Sequence, residues 1–271
     1  MSAHVDRTRD LAAARALHQR LRGLEQVAAP DTLLPAVLEG LGLAERYVSL
    51  QSPIGTVYVA FNGLRVCGVA PAEDDAAFER TYRARTGRTA RRAERAPADL
   101  LAAIGQELAG EPVTLDLDLR RLSEFERAVL LKAREIPRGE IRPYGWIARE
   151  IGRPGAVRAV GSALNKNPIP LLIPCHRVVK SDGQLGDYAF GPAMKRALLT
   201  AEGLNVARVE GLARAGVRFV ADVTGDEYCL PTCRWVRDKA PSELHHLASV
   251  TAARAAGLRP CSDCRPAALA V

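Results

Sequence analysis

The chain has 271 residues, enough for one large domain or two smaller ones, each with its own core. Its hydrophobic content of 48% and charged content of 25% are ordinary for a globular protein, and its net charge of +7 favours an anionic partner such as nucleic acid. No apolar run is long enough to cross a bilayer and the opening MSAHVDRTRD has no signal-peptide core, so a cytoplasmic location and no membrane partner are the expectation. Residues 8–26 place Leu11, Leu17, Leu21 and Leu24 at mostly helical spacing, which predicts a packing helix inside an N-terminal helical extension over 1–45. From residue 48 the pattern turns to β, with two apolar runs flanking Asn62-Gly63, a signal for a hairpin with a type I′ turn. Cys67, on the second run, reads as a small buried hydrophobe. Residues 80–96 carry seven arginines, read as a solvated face in preference to a DNA contact. A helix is predicted over 100–110, ending at Gly110, and the alternation of VTLDLDL predicts a half-buried strand over 113–119. Residues 46–120 together make a small α+β unit.

After residue 121 the pattern is mainly helical. Ser123 followed by Glu126 is a capping-box signature, and Pro137 with Gly139 ends the helix it opens. Two short amphipathic segments, YGWIAREIG and PGAVRAVGSALNKNP, flank a turn containing Gly152, Pro154 and Gly155, the outline of a helix-turn-helix. The pair Cys175-His176 follows. By residue chemistry alone it fits a nucleophile with its base, and a structural or metal-binding role equally well. A cysteine becomes a nucleophile when a base or a positive charge stabilises its thiolate. His176 can take the thiol proton if a carboxylate orients its other nitrogen. Glu202 is the candidate carboxylate, and Lys195, in the same predicted helix AMKRALLTAEG, is the candidate charge.

Residues 137–203 closely resemble the active-site domain of the O6-alkylguanine-DNA alkyltransferases. Pro174-Cys175-His176-Arg177-Val178 matches that family's signature, and Arg158-Ala159-Val160-Gly161, Asn167-Pro168 and Glu202-Gly203 fall at its spacings. Segment 46–120 resembles the family's N-terminal half loosely. The resemblance implies an α+β fold: a β-rich, ribonuclease H-like subdomain over 46–120, then a winged-helix-like active-site domain over 121–206. It implies that Cys175 accepts the methyl group while His176, a water and Glu202 draw off its proton. Tyr144 would donate to the departing guanine, Asn167 would buttress the turn that holds Cys175, and Lys195 would lie near the sulfur. The helix-turn-helix would enter the minor groove of double-stranded DNA, and Arg158 would fill the stack vacated by a flipped nucleotide. Val178, Val179, Tyr188 and Ala189 would line the guanine pocket, with backbone groups reading the base edge. Asp187 and Ala189 depart from residues common in the family, and bear on the range of alkyl groups accepted. The implied activity is that of a methylated-DNA–[protein]-cysteine S-methyltransferase, acting as a monomer and without an organic cofactor. Its thioether product has no good leaving group, so each molecule reacts once. A lesion sensor or DNA-binding regulator that does not repair is the alternative.

Past a predicted linker over 207–218, Cys229-x3-Cys233 and Cys261-x2-Cys264 form two close pairs within 219–271. In a reducing cytosol such pairs read as metal ligands before disulfides, and four thiolates at this spacing predict a tetrahedral zinc site that a small core needs in order to fold. With four cysteines in place, His245 and His246 read as surface residues. The segment resembles the N-terminal zinc module of the bacterial Ada proteins, in TGDEYCLPTC and GLRPCSDCRP, with the domain order reversed. In that module the cysteine matched by Cys229 takes a methyl group from a DNA methylphosphotriester, which makes Cys229 a candidate second acceptor. A DNA-binding or purely structural zinc unit is the alternative. Arg234, Arg237, Arg254, Arg259 and Arg265 are consistent with phosphate contact and equally with solvation.

Overall fold

The computed structural model describes residues 18, 19, 30, 33–41, 44–52, 54–111 and 113–266. The helix expected over 8–26 lies outside them except for His18 and Gln19, which are helical. The chain divides into two units, residues 1–44 and 45–271. In the first, helix α1 (Leu33–Gly40) exposes Leu33, Leu34 and Val37.

The second unit opens with a five-stranded sheet. Strands β1 (Ala44–Ser52), β2 (Gly55–Asn62) and β3 (Arg65–Pro71) form an antiparallel meander. Strand β4 (Thr89–Arg92) lies beside β1, and β5 (Asp116–Leu117) runs parallel to β3 at the other edge. Alternation along β2 divides its side chains between two cores. Val57, Val59 and Phe61 pack with Leu100 and Ile104 of α3 (Ala98–Ala109), while Tyr58 and Ala60 pack with Phe78 and Tyr82 of α2 (Asp75–Thr86). Cys67 belongs to the second core, where burial pushes its thiol up to about 12, so it is an inert apolar group as expected. The hairpin register pairs Asn62 with Arg65, so its two central residues are Gly63 and Leu64, one position later than expected. Only Gly63 has positive φ, 59°, which is the pattern of a type II′ turn with glycine first and not of type I′. The strand expected over 113–119 pairs with β3 only at Asp116 and Leu117, with Asp118 N also donating to the Val66 carbonyl at 2.8 Å, and the Asp118 side chain takes ion pairs from Arg88 and Arg120 at 2.8 Å. Within the arginine-rich stretch, Arg88 also pairs with buried Glu45, and Arg85 donates to the Asn167 carbonyl at 3.0 Å.

Helix α4 (Glu124–Arg134) begins with the expected capping box: Glu126 N donates to Ser123 Oγ and Ser123 N to Glu126 Oε2. Next come strand β6 (Arg142–Pro143), helix α5 (Tyr144–Glu150) and helix α6 (Val157–Asn165). The last two are the predicted helix-turn-helix, with Gly152 at φ 70° in the turn between them. Strand β7 (Val178–Val179) pairs in parallel with β6, joining the start of α5 to the segment that carries Cys175 and His176. Helix α7 (Pro192–Ala201) follows. The stretch expected as a linker carries helix α8 (Val206–Arg214), capped by the Asn205 side chain at Arg208 N. A four-stranded sheet closes the chain in the order β10 (Leu244–Leu247), β8 (Phe219–Asp222), β9 (Glu227–Cys229), β11 (Arg259–Pro260), with α9 (Val250–Ala255) between β10 and β11.

Candidate active site and metal centre

Tyr144, Gly161, Leu164, Asn165, Cys175, Asp187, Tyr188 and Ala189 line a cavity of about 280 Å³. The loop that delivers Cys175 is tightly determined. Leu171 has a left-handed φ of 75°, a conformation an L-residue with a side chain holds only when its surroundings impose it. Buried Asn167 imposes it from three sides: Nδ2 donates to the Ile173 carbonyl at 2.9 Å and to Cys175 Sγ at 3.2 Å, and Oδ1 accepts from Ile169 N at 3.0 Å. Asn167 therefore braces the turn, as expected, and also touches the sulfur directly.

His176 is buried, with Nε2 2.7 Å from Glu202 Oε1. Its Nδ1 is also buried and has no protein partner among the described residues. Arg177 completes this pair by donating to both Glu202 oxygens at 2.9 and 2.8 Å and to the Ile136 carbonyl at 2.6 Å. Burial would raise the Glu202 carboxyl, but the hydrogen bonds from His176 and Arg177 outweigh it and hold the group down at about 2. Burial lowers His176, so the imidazole is a neutral base at neutral pH. Burial raises Cys175 against the opposing pull of Asn167 and Lys195, so the resting sulfur is a thiol. Lys195 is itself buried and lowered to about 8 by desolvation; its Nζ donates to the carbonyls of Val178 and Leu185 at 2.6 and 2.5 Å.

Tyr144 stands at the first position of α5 on the cavity wall, with its hydroxyl raised by burial. Tyr188 meets the His176 ring edge-on at 6.2 Å, and its hydroxyl is buried without a protein partner among the described residues. The side chains of Val178 and Val179 are not on this wall. They are buried in two separate cores, because β7 must pack on both of its faces. Arg158 projects from the exposed side of α6.

The Sγ atoms of Cys229, Cys233, Cys261 and Cys264 all lie within 4.8 Å of one another and all four residues are buried. Tetrahedral Zn–S bonds of about 2.3 Å need sulfurs about 3.8 Å apart, which this cluster accommodates. Hydrogen bonds from Cys229 and Cys264 favour Cys233 as thiolate, and the nearby Arg142 guanidinium adds to the effect. Leu230 N donates to Cys264 Sγ at 3.3 Å, the kind of outer contact that orients a thiolate ligand. His245 and His246 are exposed on β10, outside the cluster. Of the five arginines noted in the sequence, four pair with carboxylates: Arg234 with Asp263, Arg237 with Asp238, Arg259 with Asp226 and Arg265 with Glu150.

Residues 124–204 match the family described as 6-O-methylguanine DNA methyltransferase, DNA binding domain, and residues 211–267 match the metal binding domain of Ada. A methylated-DNA–protein-cysteine methyltransferase of Mycolicibacterium paratuberculosis is 40% identical over 159 residues, covering 58% of this chain and 91% of that protein. The chain belongs to the methylated-DNA–protein-cysteine methyltransferase family. A family member from Methanosarcina acetivorans is 48% identical over 96 residues, 35% of this chain and 62% of that protein. The bifunctional transcriptional activator/DNA repair enzyme Ada of Escherichia coli K12 is 36% identical over 178 residues, 62% of this chain and 48% of Ada. The chain thus spans about half the length of that relative. The crystal structure of Mycobacterium tuberculosis OGT in complex with DNA aligns over 61% of this chain and 98% of that one, at 34% identity and a TM-score of 0.48. With the Ada metal-binding match, the four buried thiols constitute a zinc site.

Beyond the residues given a role from the sequence, the structure adds Arg177 and Thr232. Arg177 stands inside the signature, but the need for a cation there appears only once Ile136 and Glu202 are brought to it. Thr232, in the turn between Cys229 and Cys233, carries no sequence signal beyond its nearness to the ligands.

Proposed function

We propose that this protein repairs DNA by moving the alkyl group of an O6-alkylguanine onto Cys175, once per molecule. The observation that carries the proposal is a cavity-floor thiol hydrogen-bonded by Asn167 and followed directly by a buried histidine–glutamate pair. His176 Nδ1 is the atom left to receive the thiol proton, through water, while Glu202 and Arg177 hold the ring. Sγ then displaces at the alkyl carbon: the S–C bond forms, the C–O6 bond breaks, and the electron pair stays on guanine. Tyr144 is the donor that meets this developing charge, and the guanine leaves with a proton in place of the alkyl group. Lys195 favours the thiolate electrostatically. Tyr188 and Ala189 contact the base, which must be flipped from duplex DNA to arrive. The helix-turn-helix binds that DNA, with exposed Arg158 replacing the flipped base. Zinc, held by Cys229, Cys233, Cys261 and Cys264, cross-links the small C-terminal core. A DNA substrate supports a cytoplasmic location in a bacterial cell, and no described helix is long and apolar enough to cross a membrane.

The test is an oligonucleotide duplex carrying O6-methylguanine. Mass spectrometry should find one methyl group on the Cys175 peptide and none after Cys175→Ala. Loss of the DNA methyl group with Cys175 unmodified defeats the proposal, and lesion binding without methyl loss supports the sensor alternative.

A further inference from the structure

The zinc sheet is seated on the element that begins the active site. Thr232, buried between two zinc ligands, accepts from Ile141 N at 3.0 Å and lies 3.4 Å from the Ile141 carbonyl. Ile141 is the residue before β6. Ile141, Pro143 and Val179 share the lining of a small void of about 40 Å³ with Leu230, Pro231 and Thr232 at this joint. One turn along α5, buried Trp146 donates from Nε1 to the carbonyl of the zinc ligand Cys264 at 3.0 Å. Two guanidinium groups lie over its ring, Arg142 at 5.7 Å and Arg265 at 5.3 Å from the centroid. Arg265 also pairs with Glu150 at the end of α5 at 2.9 Å, and Arg149 donates to the Pro266 carbonyl at 3.3 Å.

These contacts converge on one short ribbon. Strand β6 leads directly into Tyr144, and β7, its parallel partner, leads directly out of Cys175-His176-Arg177. A two-residue strand pair holds little registry by itself. The structure assigns its registry to the zinc turn: we infer that the zinc-bound sheet is an intramolecular clamp on the β6/β7 ribbon, and that Thr232 is a positioning residue for alkyl transfer at Cys175. The inference rests on the alkyl-transfer reading. A change at the zinc turn reaches the reacting atoms through two hydrogen bonds and two strand pairs, whereas the cavity itself contains no residue from the zinc sheet.

The test compares full-length, zinc-loaded Thr232→Val and Thr232→Ser with the unsubstituted protein. Valine keeps the shape and removes the hydroxyl; serine restores it. Thr232→Val should retain one zinc per chain, slow methyl transfer from an O6-methylguanine duplex by roughly tenfold, and speed amide exchange at Val178 and Val179; Thr232→Ser should recover both. Unchanged transfer and unchanged exchange in a zinc-loaded Thr232→Val protein overturn the inference. If valine at 232 costs the zinc, Trp146→Phe breaks the second contact from the helix side and is read in the same way. A further measurement needs no activity. The chain has two tryptophans, and Trp235 is exposed, so in Trp235→Phe protein the emission reports Trp146 alone. Removing zinc with a chelator should shift that emission to longer wavelength as the joint opens, and an unshifted spectrum counts against the clamp. If alkyl transfer itself is misassigned, the unsubstituted protein leaves Cys175 unlabelled, and the exchange and fluorescence arms still decide the clamp.

Discussion

Glu202 illustrates how much of the site depends on a single side chain. Three hydrogen bonds from His176 and Arg177 reach its two oxygens, which is why its carboxyl sits at about 2 although burial acts to raise it from 4.5. A carboxyl lowered in the folded state contributes stability that is complete above its ordinary value and is lost as pH falls toward the lowered one. Glu202→Gln should therefore be less stable than the unsubstituted protein by roughly 3 kcal/mol at pH 7, with the gap narrowing below pH 4.5 in denaturant titrations. A gap that is the same at pH 7 and pH 3 contradicts this account. At this scale the sequence was partly legible. Residue chemistry left Cys175-His176 open among several roles and the family resemblance assigned them; the structure joins His176 to Glu202 and Cys175 to Asn167. The Asn167 bond to Sγ and the Arg177 fork were not legible, because each depends on a loop whose left-handed residue, Leu171, is not one that propensity would place there. Val178 and Val179 are adjacent strand residues whose side chains point to opposite faces and into two separate cores, so at most their backbone groups are left to meet a base.

Among the elements, those with local signals formed where the sequence placed them. The capping box at Ser123 and the glycine end of the helix at Gly110 are decided within four residues. The hairpin turn slipped by one position because strand register, set by the cores on both faces of β2, outranks the preference of Asn-Gly for a type I′ turn. Helix α8 had a signal that the linker reading passed over, with Asn205 as cap and Val206 and Val209 at helical spacing. The less obvious long-range element is β3. A Cβ added at Gly68 would lie 2.6 Å from a ring carbon of Tyr82 and 3.6 Å from the Pro168 carbonyl, and Val69 N donates to that same carbonyl at 2.9 Å. The glycine thus lets α2 lie against β3 while β3 holds the loop beginning at Asn167. Gly68→Ala should destabilise the protein by roughly 1–3 kcal/mol through overpacking and also slow alkyl transfer, since Tyr82 is buried and must move the sheet to make room. A thermal melt within a degree of the unsubstituted protein would show that the sheet absorbs the methyl group.

At the scale of the whole molecule, the two matched regions form one compact unit, and this bears on Cys229 as a second acceptor. A methylphosphotriester must bring its carbon to the sulfur in line, with the DNA backbone against the zinc sheet. Cys229 is only 3% exposed, and the turn that follows it is hydrogen-bonded to Ile141 through Thr232. Four of the five arginines that the sequence offered for phosphate contact have carboxylate partners, three of them at the surface, and Arg265 is held by Glu150 and the Trp146 ring. The docked arrangement therefore favours a structural ligand. A duplex bearing a methylphosphotriester, offered to zinc-loaded Cys175→Ala protein, should leave the Cys229 peptide unlabelled after a time that suffices for complete reaction of O6-methylguanine with the unsubstituted protein. A methyl group on Cys229 reverses this conclusion. It would mean that the zinc sheet leaves α5 to meet DNA, and the variant Arg265→Ala, which loosens the same joint, should then be labelled faster. The spacing of the cysteines identified a ligand set and the resemblance to the Ada module named Cys229 as a candidate acceptor; neither could show that the turn after it is hydrogen-bonded to Ile141, beside the neighbouring site.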